Sequence, residues 1–191
     1  TPFLKLSTLQ WTNTLFDEVV YQRSAEQALN NWAIKVANLD LASRSENVVY
    51  KVTNQNGENF ALRIHRPGYN RLEELESEVV WAEALRNSGV YVPTHIKTKE
   101  NLFYALVELG DKKKPHQVGL IEWLEGESLE NLVSKASKGT IEDCYFKLGE
   151  LMAQVHNQTS NWTPPRGFTR RSWHADGLMG PEPLWGKFWE T

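Results

Sequence analysis

An arginine on a predicted strand and a glutamate on the helix after it are the residues best placed to bind phosphate. Arg63 lies in the largely apolar stretch 60–64, and Glu78 lies in the helix pattern that follows. A guanidinium can bind the α- and β-phosphates of a nucleotide, and a carboxylate can hold it in place through an ion pair. Glu76 competes for the second role, but Glu78 precedes the apolar Val79 and better suits the margin of a buried stripe. The spacing therefore predicts an Arg63–Glu78 pair that positions a phosphate-binding cation.

A small polar loop, residues 43–47, precedes the strand next to the one that carries Arg63. Its members Ser45, Glu46 and Asn47 can turn backbone N–H groups toward phosphate oxygens, as nests in turns do. The loop is not glycine-rich, and alone it would be a weak signal. Together with Arg63 it predicts a second set of phosphate contacts.

A third candidate region is LIEWLEGESL, residues 120–129. An apolar strand that breaks into an extended Glu-Gly link before a helix can offer unpaired backbone groups to a flat adenine. We expect the Glu122 carbonyl and the Leu124 N–H to bind the adenine edge. Trp123 and Ile121 are expected to shape the slot.

The elements that position these residues follow from the spacing of apolar residues. The first half predicts a helix over residues 24–37 opened by a Ser24…Gln27 capping box, extended chain over 40–52, a hairpin turn over 54–59, a strand over 60–64, and a helix over 70–88 that ends at Gly89. Loop, hairpin, a cation on the third strand and then a helix with a glutamate is the order in which kinase-type domains hold nucleotide phosphates.

The second half changes from strands to helices. It predicts strands over residues 102–109 and 116–124 around a Gly110-Asp111 turn, a short helix over 128–138, a longer helix over 140–159 with a Thr140…Asp143 cap, and a loop-like end rich in Trp, Pro and Gly. The sheet-rich part ends near Glu125-Gly126. We therefore expect two units, residues 1–125 and residues 126–191.

Composition excludes some classes of partner. The net charge of −3 provides no basic field for nucleic acid. There is no apolar run of about 18 residues that would predict a membrane helix. The one cysteine, Cys144, excludes an internal disulfide and fits a reducing compartment, so a cytoplasmic location is expected.

Five segments in order resemble the aminoglycoside phosphotransferase and choline kinase-like family, small-molecule kinases with a protein-kinase-like fold. SENVVYKV resembles its nucleotide-positioning loop and strand, FALRIHRP its third strand with the phosphate-binding cation, ESEVVWAEAL the helix with the partner glutamate, LIEWLEGESL the hinge, and LGELMAQVHNQ the first long helix of the C-terminal lobe. The resemblance covers most of residues 40–158.

The resemblance implies an α+β fold, a kinase-like N-terminal lobe of antiparallel sheet with a packed helix, followed by the first helices of a helical lobe. It implies ATP and Mg²⁺ as cofactors. It also implies a small-molecule acceptor with a hydroxyl group, such as an amino alcohol, homoserine or an aminoglycoside. Residues 1–125 would then be the nucleotide-binding lobe, with its N-terminal helix. Residues 126–191 would be the hinge exit and the start of the substrate lobe.

The sequence departs from the family in two places. Arg63 stands where lysine is commoner, which keeps the charge but changes the geometry. The catalytic loop H-G-D-x-x-x-x-N and a later metal-binding Asp are not found. The nearest imitation is His174-Ala175-Asp176, with Pro181 where the Asn should be. We therefore expect a fragment that is inactive as it stands, with its catalytic base and Mg²⁺ ligands outside this chain.

Two other functions are compatible with the sequence. The chain could be a non-catalytic, pseudokinase-like nucleotide-binding module. The eight tryptophans weakly suggest a carbohydrate-binding domain, although Trp32 and Trp81 lie in helical patterns.

The aromatic group near the end is expected to pack against a missing lobe; it comprises Trp173, Trp185, Phe188 and Trp189. A helix face over residues 141–155 without its covering lobe predicts self-association.

Overall fold

The structure, a computed structural model, describes residues 14–109, 114–183, 186, 187 and 189. One helix, three strands, a second helix and three further strands form the first part, and three helices follow among the described residues. Their bounds are α1 (Thr14–Leu29), β1 (Val36–Arg44), β2 (Asn47–Asn54), β3 (Asn59–His65), α2 (Leu72–Asn87), β4 (His95–Ile96), β5 (Tyr104–Leu109), β6 (Lys114–Glu122), α3 (Leu129–Val133), α4 (Lys138–Asn161) and α5 (Ala175–Met179).

The strands form one antiparallel sheet in the order β1-β2-β3-β6-β4, and β5 also pairs with β6. Because β3 lies between β2 and β6, Arg63 is in the interior of the sheet, where it pairs with Val49 on one side and Gly119 on the other. The α+β class predicted from the sequence is confirmed.

Alternation along β2 and β3 separates the two faces of the sheet. One face packs against α1 and forms the main core, which contains Ala25, Ala28, Leu29, Trp32, Val48, Tyr50, Val52, Leu62, Ile64, Ala105, Val118 and Leu120. Trp32 is fully buried and its indole N–H donates to the Ile96 carbonyl at 2.8 Å. A smaller cluster of Leu75, Val79 and Tyr104 joins α2 to the sheet.

The first predicted helix is wrong at both ends. Ser24 is buried in the middle of α1, so it does not cap the helix. The helix ends at Leu29, and the N–H groups of Asn30, Asn31 and Trp32 then make the tight bonds of a turn, to carbonyls three residues earlier. Trp32 is buried because it packs under the sheet. Its apolar character therefore extended the helical pattern beyond the true end.

The extended stretch predicted for residues 40–52 consists of two strands. β1 begins already at Val36, and the chain reverses at Ser45 and Glu46 before β2. The predicted turn over 54–59, the strand over 60–64 and the helix over 70–88 are confirmed as the β2–β3 turn, β3 and α2. Gly89 follows α2 with a φ of 91°, which is the conformation that favours glycine after a helix.

The cap predicted for the long helix is also wrong. Ser137 is the N-cap of α4, and its side chain accepts from the Thr140 N–H at 3.2 Å, which places Thr140 inside the first turn. The short helix is present as α3 with Ser128 as its N-cap, but it ends at Val133, five residues before the predicted end. The end of the chain, predicted to be loop-like, contains α5. The Gly110-Asp111 turn, Trp185 and Phe188 lie outside the described residues.

No helix among the described residues is long and apolar enough to cross a membrane. The division at residues 125 and 126 stays a prediction.

Candidate functional site

The structure joins the predicted cation to the predicted carboxylate. Arg63 on β3 and Glu78 on α2 form an ion pair with 3.4 Å between Nη1 and Oε1. Both side chains are about 30% exposed, so the pair lies at the edge of the interior and is open to a ligand. Glu76 is exposed on the same helix and takes no part in the pair. Arg63 and α2 therefore lie on the sheet face opposite the α1 core.

Glu78 has a second cationic partner that the sequence did not predict. Its other carboxylate oxygen lies 3.2 Å from Nη1 of Arg170. The same Arg170 nitrogen donates to the Glu74 carbonyl at 3.2 Å, one helical turn before Glu78. One carboxylate thus lies between two guanidinium groups, and the cluster keeps a net positive charge.

Arg170 belongs to residues 169–171, a stretch that contacts α2 and is called the docking segment below. The Thr169 N–H donates to Ser77 Oγ at 3.0 Å, and Arg171 Nε lies 3.1 Å from a carboxylate oxygen of Glu74. Arg171 also donates to the Tyr69 carbonyl and lies over the Tyr69 ring. Several independent contacts therefore fix this segment against the helix that carries Glu78.

The electrostatics of Glu74 reflect this docking. Its side chain is buried, and burial by itself acts to raise its pKa. Hydrogen bonds from the Arg71 backbone and the Arg171 guanidinium outweigh burial and bring the pKa of Glu74 below its ordinary value. Glu74 is therefore a buried carboxylate with its partners in place.

The polar loop between β1 and β2 lies beside the end of β3. The Ser45 N–H donates to the Asn47 carbonyl at 3.0 Å, which closes the turn, and Asn47 pairs with His65 across β2 and β3. Glu46 forms a 2.8 Å ion pair with Arg66, just beyond β3. The buried Oδ1 of Asn47 has no hydrogen-bond partner among the described residues. The loop is thus near Arg63, but part of its polar capacity is already used.

The link after β6 holds the predicted adenine-binding groups. Glu122 is tied down, because its N–H donates to the Thr94 carbonyl at 2.8 Å and its carboxylate accepts from the Tyr91 hydroxyl at 2.9 Å. That hydroxyl lowers the pKa of Glu122. Leu124 is 42% exposed, and its N–H makes no hydrogen bond to any residue that the structure describes.

Trp123 forms one wall of this link. Its N–H donates to the Asn59 carbonyl at 3.2 Å, and the Lys51 ammonium lies 4.9 Å from the centre of its ring. The Lys51 ammonium is also 3.4 Å from Glu125. Trp123 is therefore anchored to the sheet at the start of the link, on the sheet face shared with Arg63.

The profile of the phosphotransferase enzyme family (APH) matches residues 39–184, which is more than half of the chain. The chain belongs to the phosphotransferase enzyme family. The resemblance stated from the sequence is thereby confirmed. None of the curated proteins compared is a significant match.

Two solved structures match this chain over about half of their own length. The microcompartment-associated aminopropanol kinase is 31% identical, with a TM-score of 0.68 over 85% of this chain and 48% of its own. The amicoumacin kinase hAmiN, in complex with AMP-PNP, Ca²⁺ and Ami, is 16% identical, with a TM-score of 0.65 over 83% and 47%. The chain spans about half the length of both, and its sheet and helices correspond to the N-terminal half of such kinases.

The His174-Ala175-Asp176 triplet has a structural role in this phosphotransferase-family chain. His174 is the N-cap of α5, and its Nδ1 accepts from the Gly177 N–H at 3.1 Å. Within the part of the chain that the structure describes, no group of three or more His, Cys, Asp or Glu side chains could hold a metal ion.

Proposed function

We propose that this chain is the ATP-binding half of a small-molecule kinase of the phosphotransferase family. The observation that carries the proposal is the Arg63–Glu78 pair, which lies on β3 and α2 beside the β1–β2 loop. Phosphoryl transfer demands mainly that the protein position the nucleotide and offset its negative charge. Arg63 provides positive charge for that purpose, and its ion pair with Glu78 holds the guanidinium in place.

Each part of the site has a proposed role. Arg63 binds the α- and β-phosphates, Glu78 orients Arg63, and the backbone of Ser45, Glu46 and Asn47 lies over the phosphates. Leu124 offers its free N–H to the adenine edge together with the Glu122 carbonyl, and Trp123 forms a wall of the slot. The amicoumacin kinase, which shares the fold, is bound to AMP-PNP and Ca²⁺.

Mg²⁺ and the catalytic base are proposed to be supplied by residues outside this chain, because the sequence contains neither H-G-D-x-x-x-x-N nor a later metal-binding Asp of the family pattern. The fragment alone is accordingly proposed to bind nucleotide without transferring phosphate. When bound, the metal would offset charge on the transferring phosphoryl group.

The acceptor is proposed to be a hydroxyl of a small molecule, of the class that includes amino alcohols, homoserine and aminoglycosides. The 31% identity to an aminopropanol kinase supports this class. A cytoplasmic location is proposed as well, in keeping with the single free Cys144.

The alternative is a pseudokinase-like module that binds nucleotide and acts through a partner. His174 favours this alternative, because the nearest imitation of a catalytic loop caps a helix. Both functions require nucleotide binding, so binding is the first quantity to test.

Calorimetric titration of the 191-residue chain with ATP and with adenosine tests the proposal. We expect weak binding of both ligands. Because adenosine has no phosphates, Arg63→Gln should weaken ATP about tenfold and leave adenosine unchanged. Glu78→Gln should weaken ATP less, and Glu76→Gln is the matched control without effect. The proposal is contradicted if the wild-type chain binds neither ATP nor adenosine. It is contradicted as well if Arg63→Gln weakens the binding of ATP and of adenosine equally.

A further inference from the structure

Glu78 is held from two directions. Arg63 contacts one carboxylate oxygen and Arg170 the other, at 3.4 Å and 3.2 Å. Arg63 comes from the sheet, whereas Arg170 comes from the docking segment, 92 residues after Glu78 in the sequence. The carboxylate is therefore the point at which the sheet, α2 and the docking segment meet.

A single ion pair at a partly exposed position fixes a glutamate poorly. Its gain is offset by the rotamer entropy lost when two long side chains adopt one geometry. The second guanidinium removes that freedom, since Arg170 contacts both the Glu78 carboxylate and the Glu74 carbonyl one turn earlier. Side chain and helix backbone are thus fixed by the same group.

Arg170 is itself held in place by its neighbours. The Thr169 N–H donates to Ser77 Oγ on α2, and Arg171 pairs with the buried Glu74. With both adjacent residues anchored, the backbone of Arg170 has little freedom to leave Glu78. The position of this guanidinium is therefore set by the fold.

We propose that Arg170 is a positioning residue of the nucleotide site, which holds Glu78 toward Arg63 and thereby raises the affinity for nucleotide phosphates. This inference rests on the proposed function and deepens it, because it assigns a role to a residue far from the other site residues in the sequence. Arg170 acts through Glu78 and needs no contact with the nucleotide.

The test compares Arg170→Ala with Arg166→Ala. Arg166 lies four residues earlier, is exposed, and forms no ion pair with any residue described by the structure, so it matches the change in charge without the contact. We expect Arg170→Ala to weaken ATP about fivefold, with adenosine unchanged. Arg166→Ala should change the affinity for neither ligand. Arg170→Lys should weaken ATP binding less than Arg170→Ala does.

The Glu78→Gln background separates positioning from a long-range effect of charge. If Arg170 acts through Glu78, Arg170→Ala has little further effect on ATP affinity in that background. If the fivefold loss persists there, Arg170 acts by its charge alone and the inference is overturned. Equal ATP affinities of Arg170→Ala and Arg166→Ala in the wild-type background overturn it as well.

Hydrogen exchange of α2 keeps this inference distinguishable from the proposed function. If the wild-type chain binds neither ATP nor adenosine, the proposed function fails, and the exchange rates then test separately whether Arg170 holds Glu78 and α2 in place. Faster exchange around Glu78 in Arg170→Ala, absent in Arg166→Ala, supports the positioning role. Unchanged exchange in both variants overturns it.

Discussion

His65 is a buried imidazole close to the ion pair. It lies two residues after Arg63 on β3, is 4% exposed, and meets the Tyr104 ring edge-on at 5.7 Å. Its Nδ1 finds no hydrogen-bond partner among the described residues. Burial and then the nearby Arg63 charge lower the pKa of His65 from 6.5 to about 4, although Glu78 opposes the shift. His65 is therefore neutral near pH 7 and adds no further cation beside Arg63.

The lowered pKa of His65 predicts a pH-dependent stability. Between pH 6.5 and about 4, His65 is largely protonated in the unfolded chain and largely neutral in the folded chain. The free energy of unfolding therefore falls as the pH falls through this range. The loss from this group is on the order of 2–3 kcal/mol at pH 4.5. Urea denaturation at pH 7.5 and pH 4.5 measures it. His65→Gln should show a smaller loss than the wild type.

The exposed His156, mutated to Gln, is the control and should leave the loss unchanged. The pKa of His95 is also lowered by burial, so some pH dependence should survive in His65→Gln. The relevant quantity is the change between the two pH values, because Gln at a buried site lowers stability at every pH. An identical change in wild type and His65→Gln would refute the assignment.

The placement of α2 depends on one tyrosine and one glycine. The Tyr104 hydroxyl donates to the Leu75 carbonyl of α2 at 3.4 Å, and its ring packs with Leu75 and Val79. On the other side the ring lies against Gly119 of β6, where an added Cβ would be 2.8 Å from a ring carbon. The ring can support α2 in this position because Gly119 has no side chain.

Gly119→Ala should therefore destabilise the fold by about 1–3 kcal/mol, because the methyl group must displace the Tyr104 ring or the strand. Gly149→Ala is the matched control. Gly149 lies in α4 with nothing within 4 Å of an added Cβ, and alanine there should stabilise the helix by about 0.5–1 kcal/mol. Guanidinium denaturation of both variants gives the comparison. A Gly119→Ala protein as stable as the wild type would show that Tyr104 moves without cost.

The sequence predicted those parts that depend on local pattern. β3, α2 and the β2–β3 turn carry strong periodic and turn signals, and the choice of Glu78 over Glu76 followed from the buried stripe of α2. The partnership with Arg170 had no such signal, since it joins residues 92 positions apart through tertiary packing. The end of α1 was missed because Trp32 fits the helical pattern although it lies beyond the helix. The start of α4 was missed because Thr140…Asp143 resembles a cap, whereas Ser137 is the N-cap.

The sheet has buried apolar residues, whereas α4 leaves its apolar face exposed to solvent. α4 has no buried residue, and its apolar side chains are largely open to solvent. The exposed ones are Tyr145, Phe146, Leu148, Leu151 and Met152, with 41% to 69% of each exposed. Near its C-terminal end α4 is tied to α2 through a 3.2 Å hydrogen bond from the Trp81 indole to Gln158. The helix is thus attached to the fold while its apolar face stays uncovered.

This open face predicts that the chain self-associates, because contiguous apolar surface of this kind is buried when two copies meet. Light scattering over a concentration series should show a mean mass that rises above the monomer. Leu148→Lys with Met152→Lys, which places two cations on the apolar face, should return the chain to a monomer. Gln154→Lys with Asn157→Lys adds the same charge at exposed polar positions of α4 and should leave association intact. If the Gln154→Lys, Asn157→Lys variant is equally monomeric, charge repulsion explains the loss of association, and the apolar face of α4 is not the surface through which copies associate. A wild-type chain that stays monomeric at every concentration would exclude self-association through α4.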